Sequence, residues 1–511
     1  MKRSGLMLLG SAAGLSLAVC GAALGADLPS RKAAPAAEYV KVCTAFGAGY
    51  FYIPGSSTCL KIGGVVRAEY FYRGGAPTGV PNQFAYNLAG KVYSRDAIQY
   101  RTREYFNLDA RSATEYGDLR AYASIRFTED SLPSGPTGGG KIAVPGLPAG
   151  AKANAGLFQG LPTDQVFIDA AFVQWAGLTA GVAHSFFDFY THNYEITTSS
   201  VGFSDQPLDL LAYTAKFANG FSATVSAEDA TSRRIGDSTA DIGINQNNPK
   251  DASTAAFLTY GGLNAPDAVA NLRYDGSWGS VQVAGALHEV NSAPIFGCSS
   301  AGPGGINCGN VGDKFTLPVG YTPKTAWGYA FDAGGKFKLD NFSAGDSLTI
   351  QGTFAKGASD YANAWNYWGG TSNVYYKNIS ISVPNNDAFV TPDGKIALSE
   401  SRGGFLGYQH IWSPQWRSDL FGSYLQIRNP AQAQLLSAGA DNAQIWDIGF
   451  NTFWSPIKAL DIGAEVVYTN LRLSGAYPLA TATTLSDGVT KVPTPANAND
   501  WRGRLRIQMT F

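Results

Sequence analysis

Methionine and histidine are scarce in this chain, with 3 and 4 among 511 residues, and charged residues make up only 15%. His184, His192, His288 and His410 are scattered, without the spacing of a zinc motif. Lysine and arginine number 38 against 39 aspartates and glutamates, so no basic surplus marks the chain for nucleic acid. Beyond the N-terminus no apolar run approaches the roughly 20 residues of a membrane helix, which excludes a polytopic helical protein and leaves a barrel of strands open. Gly47-Ala48-Gly49 lacks the third glycine and following helix of a nucleotide loop. What the chain does have is 60 Gly, 26 Tyr and 28 Phe, a composition that disfavours disorder and coiled coils.

The N-terminal stretch starts basic at Lys2 and Arg3, continues apolar, and ends in small residues from Gly21 to Ala26. This is the grammar of a secretory signal peptide over 1–25, cut before Ala26 or Asp27. Val19 is bulkier than the residue that precedes a lipidated cysteine, which argues against an anchor at Cys20. Cys43, Cys59, Cys298 and Cys308 remain in the exported chain. They allow three pairings, of which the sequence-near one, Cys43 with Cys59 and Cys298 with Cys308, is favoured over free buried thiols. Neither set has finger-like metal spacing, so no metal and no cofactor is expected.

The last segment alternates strictly. Trp501, Leu505, Ile507, Met509 and Phe511 fall on one face, and Arg502, Arg504, Arg506, Gln508 and Thr510 on the other. The same period recurs in hairpins, among them Leu211–Phe217 with Phe221–Ala227 around Asn219-Gly220, and Trp446–Trp454 with Leu460–Tyr468 around Ser455-Pro456. Near the start, Arg67, Arg101, Arg103, Arg120 and Arg126 share one face of strands whose other face is apolar. Strands are expected at 61–73, 97–111, 118–129, 165–176, 178–187, 209–218, 220–229, 267–275, 280–290, 325–339, 346–356, 402–412, 416–428, 443–455, 459–472 and 501–511. About sixteen antiparallel strands, joined alternately by short turns and long loops, form the pattern of an outer-membrane β-barrel. A propeller would repeat a motif every roughly 40 to 50 residues, and none is found. A sandwich would not need long excursions on alternate connections.

The stretch from Glu38 to Arg67, EYVKVCTAFGAGYFYIPGSSTCLKIGGVVR, resembles the opening of the alphaproteobacterial porins of the rhizobial and Brucella type. Ala171-Phe172-Val173-Gln174-Trp175-Ala176-Gly177, Ser185-Phe186-Phe187-Asp188-Phe189-Tyr190 and the terminal Phe511, which resembles a barrel-assembly signal, support the likeness along the whole exported chain. Val65 departs from it, since an aromatic is frequent there. The resemblance implies an all-β, 16-stranded general-diffusion porin with an inward-folded third loop. It also implies a homotrimer among outer-membrane lipids and lipopolysaccharide, inserted by the outer-membrane assembly machinery and passing small hydrophilic solutes.

On this reading 26–60 is a periplasmic segment stapled by Cys43–Cys59, and 61–511 is the barrel. The constriction loop is expected at about 186–209, carrying Asp188, Glu195, Asp205 and Asp209 opposite the basic wall of Arg67, Arg101, Arg103, Arg120 and Arg126. Two other functions compete. One is a surface adhesion or receptor barrel acting through its outer loops. The other is a barrel lipase, for which His410 near Ser401 is the best available pair. A gated active transporter would need about 22 strands and a plug domain.

Overall fold

The computed structural model describes residues 41–73, 98–130, 163–197, 199–235, 258, 260–294, 321–363, 373–376, 379–382, 385–391, 393–434, 442–474, 483–484, 491–492 and 497–511. The expected leader over 1–25 and the Cys298/Cys308 pair lie outside them. Sixteen long strands form the barrel. They are β1 (Cys59–Arg73), β2 (Ile98–Thr114), β3 (Gly117–Asp130) and β4 (Thr163–Trp175); β5 (Leu178–His184), β6 (Pro207–Lys216), β7 (Phe221–Glu228) and β8 (Asp267–Gly276); β9 (Gly279–Val290), β10 (Ala326–Lys338), β11 (Ser347–Lys356) and β12 (Glu400–Ser413); and β13 (Trp416–Arg428), β14 (Asn442–Ile457), β15 (Leu460–Ser474) and β16 (Asn497–Thr510). Each pairs antiparallel with its chain neighbour, and β16 pairs with both β15 and β1, so the sheet closes on itself. Closure leaves no edge strand, the condition for a sheet to stand in lipid.

Period two decides which wall each side chain joins. On β16, Trp501, Leu505, Ile507 and Met509 are 46–56% exposed, while Arg504 and Arg506 on the opposite face are buried. This inverts a soluble protein, and the outward residues form the apolar band of a membrane barrel. Outward aromatics gather where strands end. Tyr116 meets Trp175 at 5.7 Å and Trp416 meets Trp454 at 6.0 Å at the short-turn end, while Tyr70 meets Tyr100 at 5.2 Å at the other. Amphipathic rings favour the two lipid–water boundaries, so these pairs mark both edges of the band.

The short turns need few residues. Between β6 and β7, Asn219 and Gly220 take φ values of 64° and 86°, the left-handed conformation that favours this dipeptide in a hairpin. The long connections lie at the opposite end, where buried polar groups hold their roots. Asp387 accepts backbone N–H groups of Ile235 and Ser359 at 2.7 and 2.6 Å and the Tyr260 hydroxyl at 2.7 Å, fastening two long connections to each other with one carboxylate.

Two features concern the ends of the chain. Cys43 and Cys59 form a disulfide across a sequence separation of 16, with both residues buried beside Tyr50. Cys59 opens β1, and the two-residue strand Phe51–Tyr52 pairs back on it. Replacing both cysteines by serine is expected to lower stability by about 3 kcal/mol in a denaturant melt, with unchanged ion conductance, because the closed loop lies outside the barrel wall. At the other terminus, Phe511 exchanges two backbone hydrogen bonds with Gly64, each 3.0 Å. Its exposed ring lies over Gly64, where an added Cβ would come within 2.7 Å of it. Phe511→Asp should therefore prevent closure and assembly; wild-type amounts of a heat-modifiable barrel in membranes would contradict this.

Candidate functional site

β5 is the shortest barrel strand, ending at His184, and the chain then turns into the lumen as residues 185–206 before resuming at β6. The wall holds this loop along much of its circumference. At its root Glu228 accepts the Ser185 hydroxyl at 2.6 Å and the Phe186 N–H at 3.0 Å, and Asn271 donates to the Phe186 carbonyl at 2.6 Å. Gln282 and Gln351 take the next turns, binding the Asp188 carbonyl and the Tyr190 N–H at 3.1 Å each. At the tip Glu465 accepts the N–H groups of Ile196 and Thr197 at 2.6 Å, Asn451 donates to the Tyr194 carbonyl at 2.6 Å, and Arg504 and Arg506 donate to the Ile196 carbonyl. The returning limb binds Ser423 through the Val201 N–H at 2.8 Å. Tyr190 stacks on Phe405 at 3.8 Å, with Phe203 packed edge-on at 5.0 Å. Buried polar groups on the inner wall thus satisfy the backbone of a segment without regular structure.

This anchoring corrects the expected role of the acidic residues. Asp188 accepts the Gln206 N–H at 2.7 Å and lies 3.6 Å from Arg233, tying the two limbs at the root. Glu195 accepts the N–H groups of Ser199 and Ser200 at 2.7 and 3.0 Å, shaping the tip. Asp205 binds His192 at 2.7 Å. All three side chains are buried, so they are internal fasteners of the loop and present no acidic face to the opening. Asp209 is not in the loop at all. It sits on β6 in the exposed, outward set with Leu211 and Tyr213, because the strand starts at Pro207 and alternation turns its side chain away from the lumen.

Burial alone would depress the His192 imidazole, but Glu195 and the bond to Asp205 outweigh it and hold its pKa up at about 8. A pKa above the free value means that the pair's stabilisation is complete below about pH 6.5 and is lost as pH rises through 8. Asp205 is shifted the other way by the two histidines, against burial, so it stays ionised throughout this range. The loop fastening is expected to loosen between pH 7 and 9. Single-channel conductance should be steady below pH 6.5 and rise or become noisy above pH 8, and a flat profile would refute this.

The opposite wall is basic. Arg67, Arg101, Arg103 and Arg126 lie on the inner face of β1, β2 and β3 in adjoining register, with Arg67 opposite Arg103 and Glu69 opposite both Arg101 and Arg506. Arg101 holds Asp130 with both nitrogens, Arg126 approaches Asp169 at 3.4 Å, and Arg506 binds Glu69 at 2.7 Å. Six guanidinium groups (Arg67, Arg101, Arg103, Arg126, Arg504, Arg506) thus face four carboxylates (Glu69, Asp130, Asp169 and Glu465, in register opposite Arg504), an excess of two positive charges. Arg120 departs from its expected place. It shares Asp109 with Arg111, both at 2.9 Å, six residues along β3 from Arg126 and toward the short-turn end. Six residues of strand span about 20 Å, so Arg120 belongs to a separate group at that rim. Arg504, Arg506 and Glu69 complete the wall and are not among the site residues the sequence suggests, though alternation places both arginines on the polar face of the closing strand. Glu465 and Asn451 carried no such signal beyond being polar members of alternating strands.

No catalytic pair emerges from His410 and Ser401. Nine residues apart on β12, they lie about 30 Å from one another and, the offset being odd, point to opposite faces. His410 instead binds Asp346 at 2.8 Å.

A closed antiparallel barrel of sixteen strands, apolar outside, polar inside and narrowed by an inward loop, defines the class of outer-membrane channel barrels. Within that class the chain belongs to the porin subfamily, whose family model matches residues 27–498. It is similar to porin Omp2b of Brucella suis, at 29% identity over 283 residues, covering 54% of this chain and 64% of that one. Porin Omp2b of Brucella abortus (strain 2308) is 30% identical over the same length, covering 54% and 63%. The aligned region therefore spans less than two thirds of these relatives. Among solved structures, the outer membrane channel DcaP of Acinetobacter baumannii shares the fold, with a TM-score of 0.54 at 14% identity over 90% of this chain and 99% of that one. Family membership and fold place the protein among the porin barrels of the bacterial outer membrane.

Proposed function

We propose that the chain forms a water-filled channel for passive diffusion of small hydrophilic solutes and ions, with a constriction that favours anions. A sixteen-stranded barrel is wide enough to leave an aqueous bore, and the inward loop narrows it. The observation that carries the charge preference is the arginine wall of β1, β2, β3 and β16, faced by a loop whose carboxylates are turned inward on themselves. Fixed positive charge at a narrow site raises the local concentration of anions, the ring-of-charge logic of selective pores. Reconstitution into planar bilayers tests the channel. Discrete current steps in potassium chloride are expected, and a barrel that inserts without steps would leave the adhesion reading in its place.

The same reading takes 1–25 as a leader removed on export, 26–60 as a periplasmic segment and 61–511 as the barrel. It places the mature protein among outer-membrane lipids and lipopolysaccharide after delivery by the assembly machinery. A homotrimer is supported by the outer wall of β1–β5. Glu104 is exposed there between the outward neighbours Val66 and Phe127, and small outward residues, Ala68, Ala121, Ala123, Ala171 and Ala180, flatten the surface around it. A carboxylate set in an apolar band is better accommodated against a second copy than against lipid. Cross-linking in native membranes should end at three copies, whereas monomers alone would exclude the trimer.

A further inference from the structure

Beneath the inward loop, on the short-turn side, lies a half-open cavity of about 180 Å³. Its wall side is formed by inward residues near the ends of four consecutive strands, Arg273 on β8, Ser280 on β9, Lys336 on β10 and Thr349 on β11; its loop side is formed by Phe189 and Tyr194. We propose that this cavity is a binding site for a monocyclic aromatic carboxylate, held on the exit side of the constriction. The proposal rests on the channel reading and adds to it a solute class and a place.

Three features define the ligand. The first is charge. The Lys336 ammonium stands 5.8 Å from the Tyr194 ring and makes no ion pair among the described residues, so its donors are available to an anion. Arg273 stands 5.7 Å from the Phe189 ring and is steadied by Asp275 through two bonds of 2.9 Å. With Arg273 shared with Asp275, the unpaired Lys336 leaves one net positive charge on this side of the cavity, which favours a carboxylate over a cation. The second is the aromatic side, which is already in place. The Tyr194 hydroxyl is fixed by Ser347 and Thr349 at 3.0 and 2.9 Å, and Phe189 packs directly on Gly334, where a side chain would displace it. Rings held before the ligand arrives lose little freedom on stacking against it. The third is size. A cavity that accepts benzene measures about 150 Å³, so one ring with one carboxylate matches the space. The Ser280 hydroxyl, which makes no hydrogen bond among the described residues, supplies one more polar contact at the wall.

Calorimetric titration of the detergent-solubilised full chain with benzoate, acetate and benzyl alcohol tests the site without requiring conduction. Benzoate should bind about tenfold more tightly than either partial probe, since each lacks one half of the complement. Lys336→Gln and Arg273→Gln, both lumen-facing and neither hydrogen-bonded to the loop among the described residues, should each weaken benzoate about tenfold while leaving potassium chloride conductance steps in place. Benzoate binding no better than acetate, or binding unchanged in both variants, would overturn the proposal. Loss of conductance steps in the unaltered protein would instead overturn the channel reading, so the two failures are distinguishable.

Discussion

Replacing Arg101 and Arg103 together by glutamine is expected to remove most of the anion preference and to lower the chloride-to-potassium permeability ratio about fivefold in dilute salt. The wall carries six guanidinium groups against four carboxylates, so the double variant leaves four against four and removes the excess of two charges. One unit charge about 4 Å from a passing ion contributes about 1 kcal/mol even in water, which is roughly a fivefold change in local ion concentration. The loss of Arg101 also frees Asp130, which it holds with both nitrogens, and pushes the balance further. Because the screening length falls from about 10 Å at 0.1 M to about 3 Å at 1 M, the difference should shrink in molar salt. An unchanged ratio at low salt would show that these arginines do not border the path. The companion variant, with Asp188 and Glu195 neutralised, is expected to disturb the loop itself, since both carboxylates hold backbone N–H groups within it.

Gly403→Val should increase single-channel conductance, by roughly twofold, through release of the loop rather than collapse of the barrel. The returning limb presses on β12 at Gly202, whose φ is 84° and whose Cα lies where a Cβ on Gly403 would be. Backbone meets backbone there, so a side chain cannot be accommodated by a rotamer change, and the limb must lift. Overpacking of this kind costs about 1–3 kcal/mol, while sixteen strands keep their ladder of hydrogen bonds. Wild-type conductance in a well-assembled Gly403→Val barrel would mean that the loop does not set the bore.

How much of this the sequence discloses follows from the physics of each part. The strands are legible because lipid on one side and water on the other impose period two with little exception. Even the closing strand reads correctly from Trp501 to Phe511. The inner face of Arg67, Arg101, Arg103 and Arg126 is legible for the same reason. What period two cannot reveal is height along the barrel. Arg120 and Arg126 share a face but belong to different groups, because register between strands decides which charges meet. The loop is harder still. A run of acids between two strands looks like a charged rim, yet an inward segment must satisfy its own backbone in a crowded lumen. Asp188, Glu195 and Asp205 are consumed in that task. For Asp209 the expected loop boundary runs three residues too far, enough to move it from outward wall to loop.

The measurement that bears most directly on the central claim is the zero-current potential of the wild-type channel in a gradient of dilute potassium chloride across a planar bilayer. An arginine wall facing a loop with no free acids predicts the sign of chloride preference, weakening as both sides approach molar salt. A potential of the opposite sign, persisting in dilute salt, would contradict it.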